Sequence, residues 1–354
     1  MGGLRAAGLI YGLQEHHLDH IAPMAALMRI PLIVTELHLE VLATRYYPHL
    51  STLYFDYLEV GDRIVREFDL IISSMPKDLF DQIVLVAENL RNRRVLNIYC
   101  PHGNSDKGHA SHFMEGLYKE AIVLVYGQKM LDFMVDKGAY SQLYATITVG
   151  NYRFDYYKKH ESFYEDLVQQ EIASKFNNTN PTLLYAPTWD DAECSCSFHG
   201  TIDPLLEQMP SSWNLIVKLH PNTLQTMGDC YFLESRKNIL FLEHFPPIYP
   251  LLNFIDIYLG DMSSIGYDCL TFQKPMFFLN SNRRDPKTDK GLYLYRCGRV
   301  VGPEHLRKIF SIVEKGKDCW YTQIQKEVYP YVFGDNKAFP QILKETYERF
   351  LCAY

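Results

Sequence analysis

Basic charge, paired cysteines, long apolar runs and internal repeats are all scarce in this 354-residue chain. Its 35 lysines and arginines are outnumbered by 42 aspartates and glutamates, giving a net charge of −7. That balance excludes the usual nucleic-acid binder, whose phosphate contacts need a basic surplus. Only Arg91-Asn92-Arg93-Arg94 is densely basic. It reads as the solvated end of a helix, with weak contact to anionic lipid as the sharper alternative. The eight cysteines include no C-x-x-C pair, which sets aside the common zinc frameworks. Cys194-Ser195-Cys196 is the closest spacing and fits none of them. Reduced thiols and a cytoplasmic location are the expectation, and the sequon Asn177-Asn178-Thr179 then carries no meaning. No apolar run reaches the roughly 18–20 residues of a membrane helix. The opening MGGLRAAGLIYGLQEHHLDH holds an apolar run too short for a signal peptide. Peripheral contact with the inner face of a membrane stays open, since a small patch is enough for it.

What is present is a well-packed globular composition, 47% hydrophobic and 14% aromatic, at a length suited to two domains. The pattern alternates strand and helix almost throughout. AAGLIYGL, PLIVTE, FDLIISS, RVLNIYC, EAIVLVYG and ATITVG read as strands of a first half. DHIAPMAALMRI and PKDLFDQIVLVAENLRNRR read as helices, the second with proline at its start where a missing N–H does no harm. Residues 151–181 are polar and tyrosine-rich, and SKFNNTNP is the most linker-like stretch. The alternation then restarts with TLLYAPT, NLIVKLH, NILFLEH, DIYLGD and PMFFLN. Near-continuous apolar strands between helices imply parallel sheets covered on both faces. The fold class expected is therefore α/β, with two Rossmann-like doubly wound domains facing a cleft. No exact repeat relates the halves. The last helix, FPQILKETYERFLCAY, has either half to pack on.

Such sheets bind ligands beyond the carboxyl ends of their strands, so the residues following each strand are the candidates. After VLNIYC comes Pro101-His102-Gly103-Asn104-Ser105-Asp106-Lys107-Gly108. His102 can accept a proton near neutral pH and Lys107 can neutralise a phosphate, although a plain polar turn needs no ligand. After NLIVKL comes His220-Pro221-Asn222, where the proline turns the chain sharply and holds the histidine at the sheet edge. A structural histidine in a loop is the commoner reading of either one alone. After IDIYL comes Gly260-Asp261-Met262-Ser263-Ser264, at the start of a helix. One serine there is explained as a cap. Two hydroxyls beside unpaired helix N–H groups also suit phosphate oxygens. Asp261 reads as an orienting residue, and Asp268, one turn on, as steadying the helix or contacting a ribose. In VGNYRFDYY, Gly150 ends a strand, Arg153 is available for phosphate and Asp155 starts the next helix; an ordinary interdomain crossing explains them equally well. His16, His17 and His20 in EHHLDH have some look of a metal site, but match no zinc signature. They read as a polar loop-to-helix junction on the acceptor side of the cleft. In APTWDDAEC, Asp190 and Asp191 read as a solvated loop before a cation site, with Trp189 packing over a bound group.

Taken in order, these pieces resemble the CDP-glycerol glycerophosphotransferases, the teichoic-acid primase and polymerase family. Its motifs H-G-T-P-x-K, G-x-P-R-x-D, Y-A-P-T-W, K-x-H-P and D-Y-S-S with a later aspartate and K-P correspond to stretches here. They appear as His102-Gly103 with Lys107, Gly150 with Arg153 and Asp155, and Tyr185 to Trp189 intact. Lys218-Leu219-His220-Pro221 follows, and then Asp261-Met262-Ser263-Ser264 with Asp268 and Lys274-Pro275. The similarity spans roughly Tyr99 to Asn280 and rests on order and spacing. Departures stand at Asn104-Ser105-Asp106, at Tyr152 where the family has proline, and at Met262 where it has tyrosine.

The resemblance implies a GT-B architecture, with an acceptor-side domain at 1–155, a nucleotide-donor domain at 156–335 and a terminal helix at 336–354 packing back on the body. It implies that His102 and His220 are catalytic, the first as general base. It assigns Lys107, Arg153, Thr188, Lys218, Asp261, Ser263, Ser264 and Asp268 to the substrate and its phosphates. The implied reaction moves glycerol phosphate, or a related polyol phosphate, from a CDP-alcohol to a hydroxyl of a polyol, glycan or lipid-linked acceptor, releasing CMP. No cofactor and no metal are implied, and a role in cell-envelope biosynthesis follows. Two other readings stand beside it. One is a glycosyltransferase or epimerase of the same architecture using a UDP- or CMP-sugar. The other is a nucleotide-binding or regulatory homologue that has lost the reaction.

Overall fold

The computed structural model describes residues 4–109, 115–191, 193–227, 237–317, 321–335 and 338–353. Ala192 in the APTWDDAEC loop, Tyr354, and residues 336 and 337, where the terminal helix was expected to begin, lie outside them. The chain divides into two compact units. One comprises Met1–Gly103, Met114–His160 and Pro330–Tyr354, and the other Asn104–Phe113 and Glu161–Tyr329.

The first unit holds β1 (Ala6–Ile10), β2 (Leu32–Val34), β3 (Thr52–Tyr54), β4 (Leu70–Ser73), β5 (Leu96–Tyr99), β6 (Ile122–Val125) and β7 (Ala145–Thr148). All pair in parallel, in the order β3-β2-β1-β4-β5-β6-β7. The order reverses between β1 and β4, the place where a doubly wound sheet opens a crevice at its carboxyl edge. β1, β2, β4 and β6 are buried along their whole length, which explains their unbroken apolar sequence. One face packs Ala7, Leu9, Ile33 and Ile71 against Phe80, Val84 and Ala87 of helix Lys77–Arg91. That i, i+4, i+7 spacing makes the helix amphipathic, and each large side chain it buries contributes about 1.5–3 kcal/mol. The helix starts where Glu120 accepts the Lys77 N–H at 2.7 Å. It ends at Asn92, left-handed at φ 48°, as helix C-termini commonly do. On the other face, helix Leu18–Met28 lies so close to β1 that a Cβ on Gly8 would sit 2.8 Å from Ile21.

The second unit repeats the plan with β8 (Thr182–Ala186), β9 (Asn214–Val217), β10 (Ile239–Phe241), β11 (Ile257–Gly260), β12 (Met276–Leu279) and β13 (Arg299–Val301). Their order is β10-β9-β8-β11-β12-β13, again all parallel. The reversal falls between β8 and β11, which pair from Ile257 opposite Leu183 to Gly260 opposite Ala186. Its main core gathers Leu183, Tyr185, Leu215, Val217, Leu259 and Phe277 beneath Phe198, Ile202 and Leu205.

The polar, tyrosine-rich stretch 151–181 is mostly helical ahead of the linker-like SKFNNTNP. It carries helices Tyr152–Lys159 and Glu161–Glu171, and Tyr152, Tyr156, Tyr157 and Tyr164 are buried. The first of these helices begins at Tyr152, not at Asp155, because the Asn151 side chain accepts the Phe154 N–H and caps it. Gly150 makes the turn before it at φ 65°, a conformation that favours glycine. The Arg91–Arg94 run is tied to acidic partners: Arg91 to Asp62, Arg93 to Asp69 and Arg94 to Glu88. Helix Phe339–Ala353 belongs to the first unit, where the Tyr347 hydroxyl donates to the Asp69 carbonyl at 3.5 Å.

Candidate functional site

In the first unit, the loops leaving β1 and β5 bring three imidazoles together. His16 and His17 end a short 3-10 turn, Glu15–His17, just before helix Leu18–Met28. His102 stands three residues past β5. Ring centroids are 4.6 Å apart for His17 and His102, 5.5 Å for His16 and His102, and 4.4 Å for His16 and His17. Burial holds the His102 imidazole down at about 4, and the Nδ1 atom is buried with no hydrogen-bond partner. Burial, reinforced by His102, pushes His16 down to about 3. At neutral pH both rings are therefore uncharged and keep a lone pair, as a proton acceptor must. The polar-junction reading of EHHLDH missed this meeting, because the residues concerned are far apart in sequence.

Arg153 lies behind this cluster, and its charge is committed. Its side chain is 3% exposed and pairs with Asp19 at 3.1 Å, while the Tyr47 hydroxyl donates to the other Asp19 oxygen. Arg153 also lies 3.3 Å from His20 Nδ1, which is 2.8 Å from the Tyr126 hydroxyl. A buried arginine already paired to a carboxylate is a poor phosphate ligand, so its expected role does not fit its surroundings.

In the second unit, the loop after β8 is folded onto the end of β11, across the point where strand order reverses. Asp261 is wholly buried. One of its oxygens accepts the Thr188 N–H at 2.8 Å. The other accepts the Ser197 N–H at 2.9 Å and the Ser197 hydroxyl at 2.7 Å. Burial raises this carboxyl to about 6, against the pull of those donors. The aspartate orients the loop and leaves a phosphate no room to approach it.

Lys107 joins the same loop. Its ammonium is 2.6 Å from Asp191, donates to the Trp189 carbonyl at 3.0 Å, and lies 4.9 Å from the Trp189 ring centre. With side-chain exposures of 10% and 14%, this pair corrects the solvated reading of Asp191; Asp190 instead pairs with exposed His199. Immediately before Lys107, the changed motif acquires a purpose. Asp106 is buried and accepts from the Tyr267 hydroxyl at 2.6 Å and from the Leu294 N–H at 3.0 Å.

His220 opens helix Pro221–Met227. Its Nδ1 accepts the Asn222 N–H at 3.2 Å, so the neutral ring carries its proton on Nε2 and is a donor there. The ring lies 6.0 Å from that of Trp189. Lys218 donates to the Phe245 carbonyl at 2.8 Å. Ser264 precedes the five-residue helix Ile265–Cys269, and its hydroxyl makes no capping bond. Ser263 is buried beside it, and Asp268 accepts from the buried Tyr249 hydroxyl at 3.0 Å. Asp268 thus steadies the helix and is turned to protein, not to a ribose.

The geometry can be set beside known proteins. No helix among the described residues is long and apolar enough to cross a membrane. No curated protein matches the chain in sequence. Among solved structures, the wall teichoic acid polymerase TagF has a TM-score of 0.64 at 14% identity, covering 98% of this chain and 90% of its own. The Staphylococcus aureus MnaA–UDP co-structure gives 0.63 at 12% identity, covering 99% and 98%. A UDP-GlcNAc 2-epimerase from Neisseria meningitidis bound to UDP-GlcNAc gives 0.57 at 13%, covering 97% and 99%. These identities speak for the fold alone, a GT-B arrangement of two parallel-sheet domains. Residues 122–304, just over half of the chain, match the model of the CDP-Glycerol:Poly(glycerophosphate) glycerophosphotransferases. The chain belongs to that family and has its transferase fold.

Proposed function

We propose that this protein transfers glycerol phosphate, or a related polyol phosphate, from a CDP-alcohol to an acceptor hydroxyl and releases CMP. One observation carries the reading: Asp261 bonds the Thr188 and Ser197 amides. It thereby joins the Y-A-P-T-W loop to the D-x-S-S turn at the reversal point of the second sheet. Two family motifs far apart in sequence become one structural unit at the edge where such sheets take nucleotides.

In this reading His102 removes the acceptor proton. The freed oxygen attacks the β-phosphorus, an O–P bond forms, and the bond to the CMP oxygen breaks. Ser263 and Ser264 hold phosphate oxygens, and His220 donates through Nε2 to charge developing on the diphosphate. Lys107, already balanced by Asp191, acts by fixing Trp189 and the loop. Catalysis then comes from placement and charge stabilisation. A polyol, glycan or lipid-linked molecule supplies the hydroxyl.

The test is thermal unfolding with CDP, CMP, UDP and GDP, since a ligand of the folded state raises the melting temperature according to its affinity. CDP and CMP are expected to stabilise most. A preference for UDP would favour the second reading, a UDP-sugar enzyme, which the fold likeness to MnaA keeps in play.

A further inference from the structure

We infer that His16, His17 and His102 form a binding site for a divalent transition-metal ion of the zinc class. The three offer one nitrogen each, and those nitrogens all lie within 4.8 Å of one another. They come from two loops at the carboxyl edge of one sheet, His16 and His17 after β1 and His102 after β5. Zinc–nitrogen bonds of about 2.0–2.1 Å put the nitrogens of a tetrahedron roughly 3.3–3.4 Å apart. Small ring rotations close the difference.

The donor set decides the class of ion. It is all imidazole, with neither carboxylate nor thiolate in the group. Such sets suit zinc, cobalt, nickel or copper, and disfavour magnesium and calcium, which want oxygen. Ligation takes the lone pair of a neutral imidazole, which each of the three rings can offer. His102 Nδ1 is buried without a hydrogen-bond partner, so nothing in the protein has to be displaced from that atom. The buried cation Arg153 is balanced by Asp19. Three ligands leave a fourth position open to solvent or a ligand hydroxyl.

The site has a consequence that rests on the proposed function. A neutral imidazole bound to metal through one nitrogen keeps its proton on the other. His102 therefore cannot hold the ion and accept an acceptor proton at once. Occupancy by zinc would switch the transferase off, and removal would restore it.

The test uses the full chain, stripped with chelator and dialysed against Zn²⁺ or Co²⁺. One ion per chain is expected, with a four-coordinate cobalt spectrum lacking sulfur-to-metal charge transfer. His16→Ala and His17→Ala should each weaken binding more than about 100-fold, since losing a ligand exceeds the effect of losing an outer-shell partner. His220→Ala, in the other unit, should bind as the parent does. Circular dichroism in chelator checks that each variant is folded, and His16→Gln serves where His16→Ala is not. Absence of stoichiometric binding, a thiolate spectrum, or unchanged affinity in both alanine variants would overturn the site. These readouts involve no turnover, so they stand apart from the donor test above.

Discussion

The Asp261 carboxylate accepts the Thr188 backbone N–H at 2.8 Å, across the strand-order reversal of the second sheet. Its other oxygen is held by the backbone and hydroxyl of Ser197. An acceptor-only group is needed there. Asp261→Asn would point an amide N–H₂ at a backbone N–H on one side or the other. The expected loss is about 1–3 kcal/mol, the usual penalty for a buried donor left unmatched. Denaturant unfolding reads the loss, and faster exchange of the Thr188 and Ser197 amides would locate it. Unchanged exchange would remove Asp261 as the organiser of the loop.

Lys107 and Asp191 form a largely buried ion pair. Lys107→Met strands the aspartate and should destabilise by about 3 kcal/mol, whereas adding Asp191→Asn should recover much of it. A double-mutant cycle measures the coupling. Additive losses would mean that the two residues act independently.

The proposed catalytic histidines make different predictions. His102→Ala should slow CMP release roughly 100- to 10,000-fold, the range for a lost general base. His220→Ala removes a donor to developing charge and should cost roughly 100- to 1,000-fold in kcat. Neither change should abolish nucleotide binding as measured by thermal shift. Full activity in either variant would end that residue's catalytic role.

Ser263→Ala with Ser264→Ala separates capping from phosphate binding. Because the Ser264 hydroxyl makes no cap bond, the melting temperature should hold while CMP affinity falls at least tenfold. A cap would show the reverse, a loss of about 1 kcal/mol in stability at constant affinity.

The two units should respond to acid in opposite senses. In the first, burial lowers His16 to about 3 and His102 to about 4. The unfolded chain then binds more protons, so this contribution falls as pH drops from about 6.5 towards those values. In the second, Asp261 is raised to about 6. Its contribution is full below the ordinary carboxylate range and is lost as pH rises through about 6. Exchange protection followed separately in each unit between pH 4 and pH 7 checks both signs, and Asp261→Asn should flatten the second.

Much of this was legible in the sequence, for a physical reason. Strands buried on both faces have no polar alternation to confuse them, so runs such as LIIS and TLLYA stand out. The three-residue edge strands β3 and β13 escaped because each is partly exposed and has little apolar sequence to show. Tyrosine-rich helices at 152–171 read as polar because the tyrosine hydroxyl disguises a ring that packs as a hydrophobe. Motif order singled out His102, His220 and Asp261, whose roles here are proposals. What no local pattern carries is a pairing over distance. Lys107 with Asp191, Arg153 with Asp19, and His16 with His102 are joined by topology, and their partners decide what each group is free to do.

The second unit takes Asn104–Phe113 from upstream, and the first takes its last helix from the far end of the chain. Neither body is therefore encoded by one uninterrupted stretch. On the ribosome, the first cannot be completed until helix Phe339–Ala353, made after the whole second unit, has emerged. A gene split at His160 would leave the downstream fragment without Asp106, the acceptor for Tyr267 and Leu294.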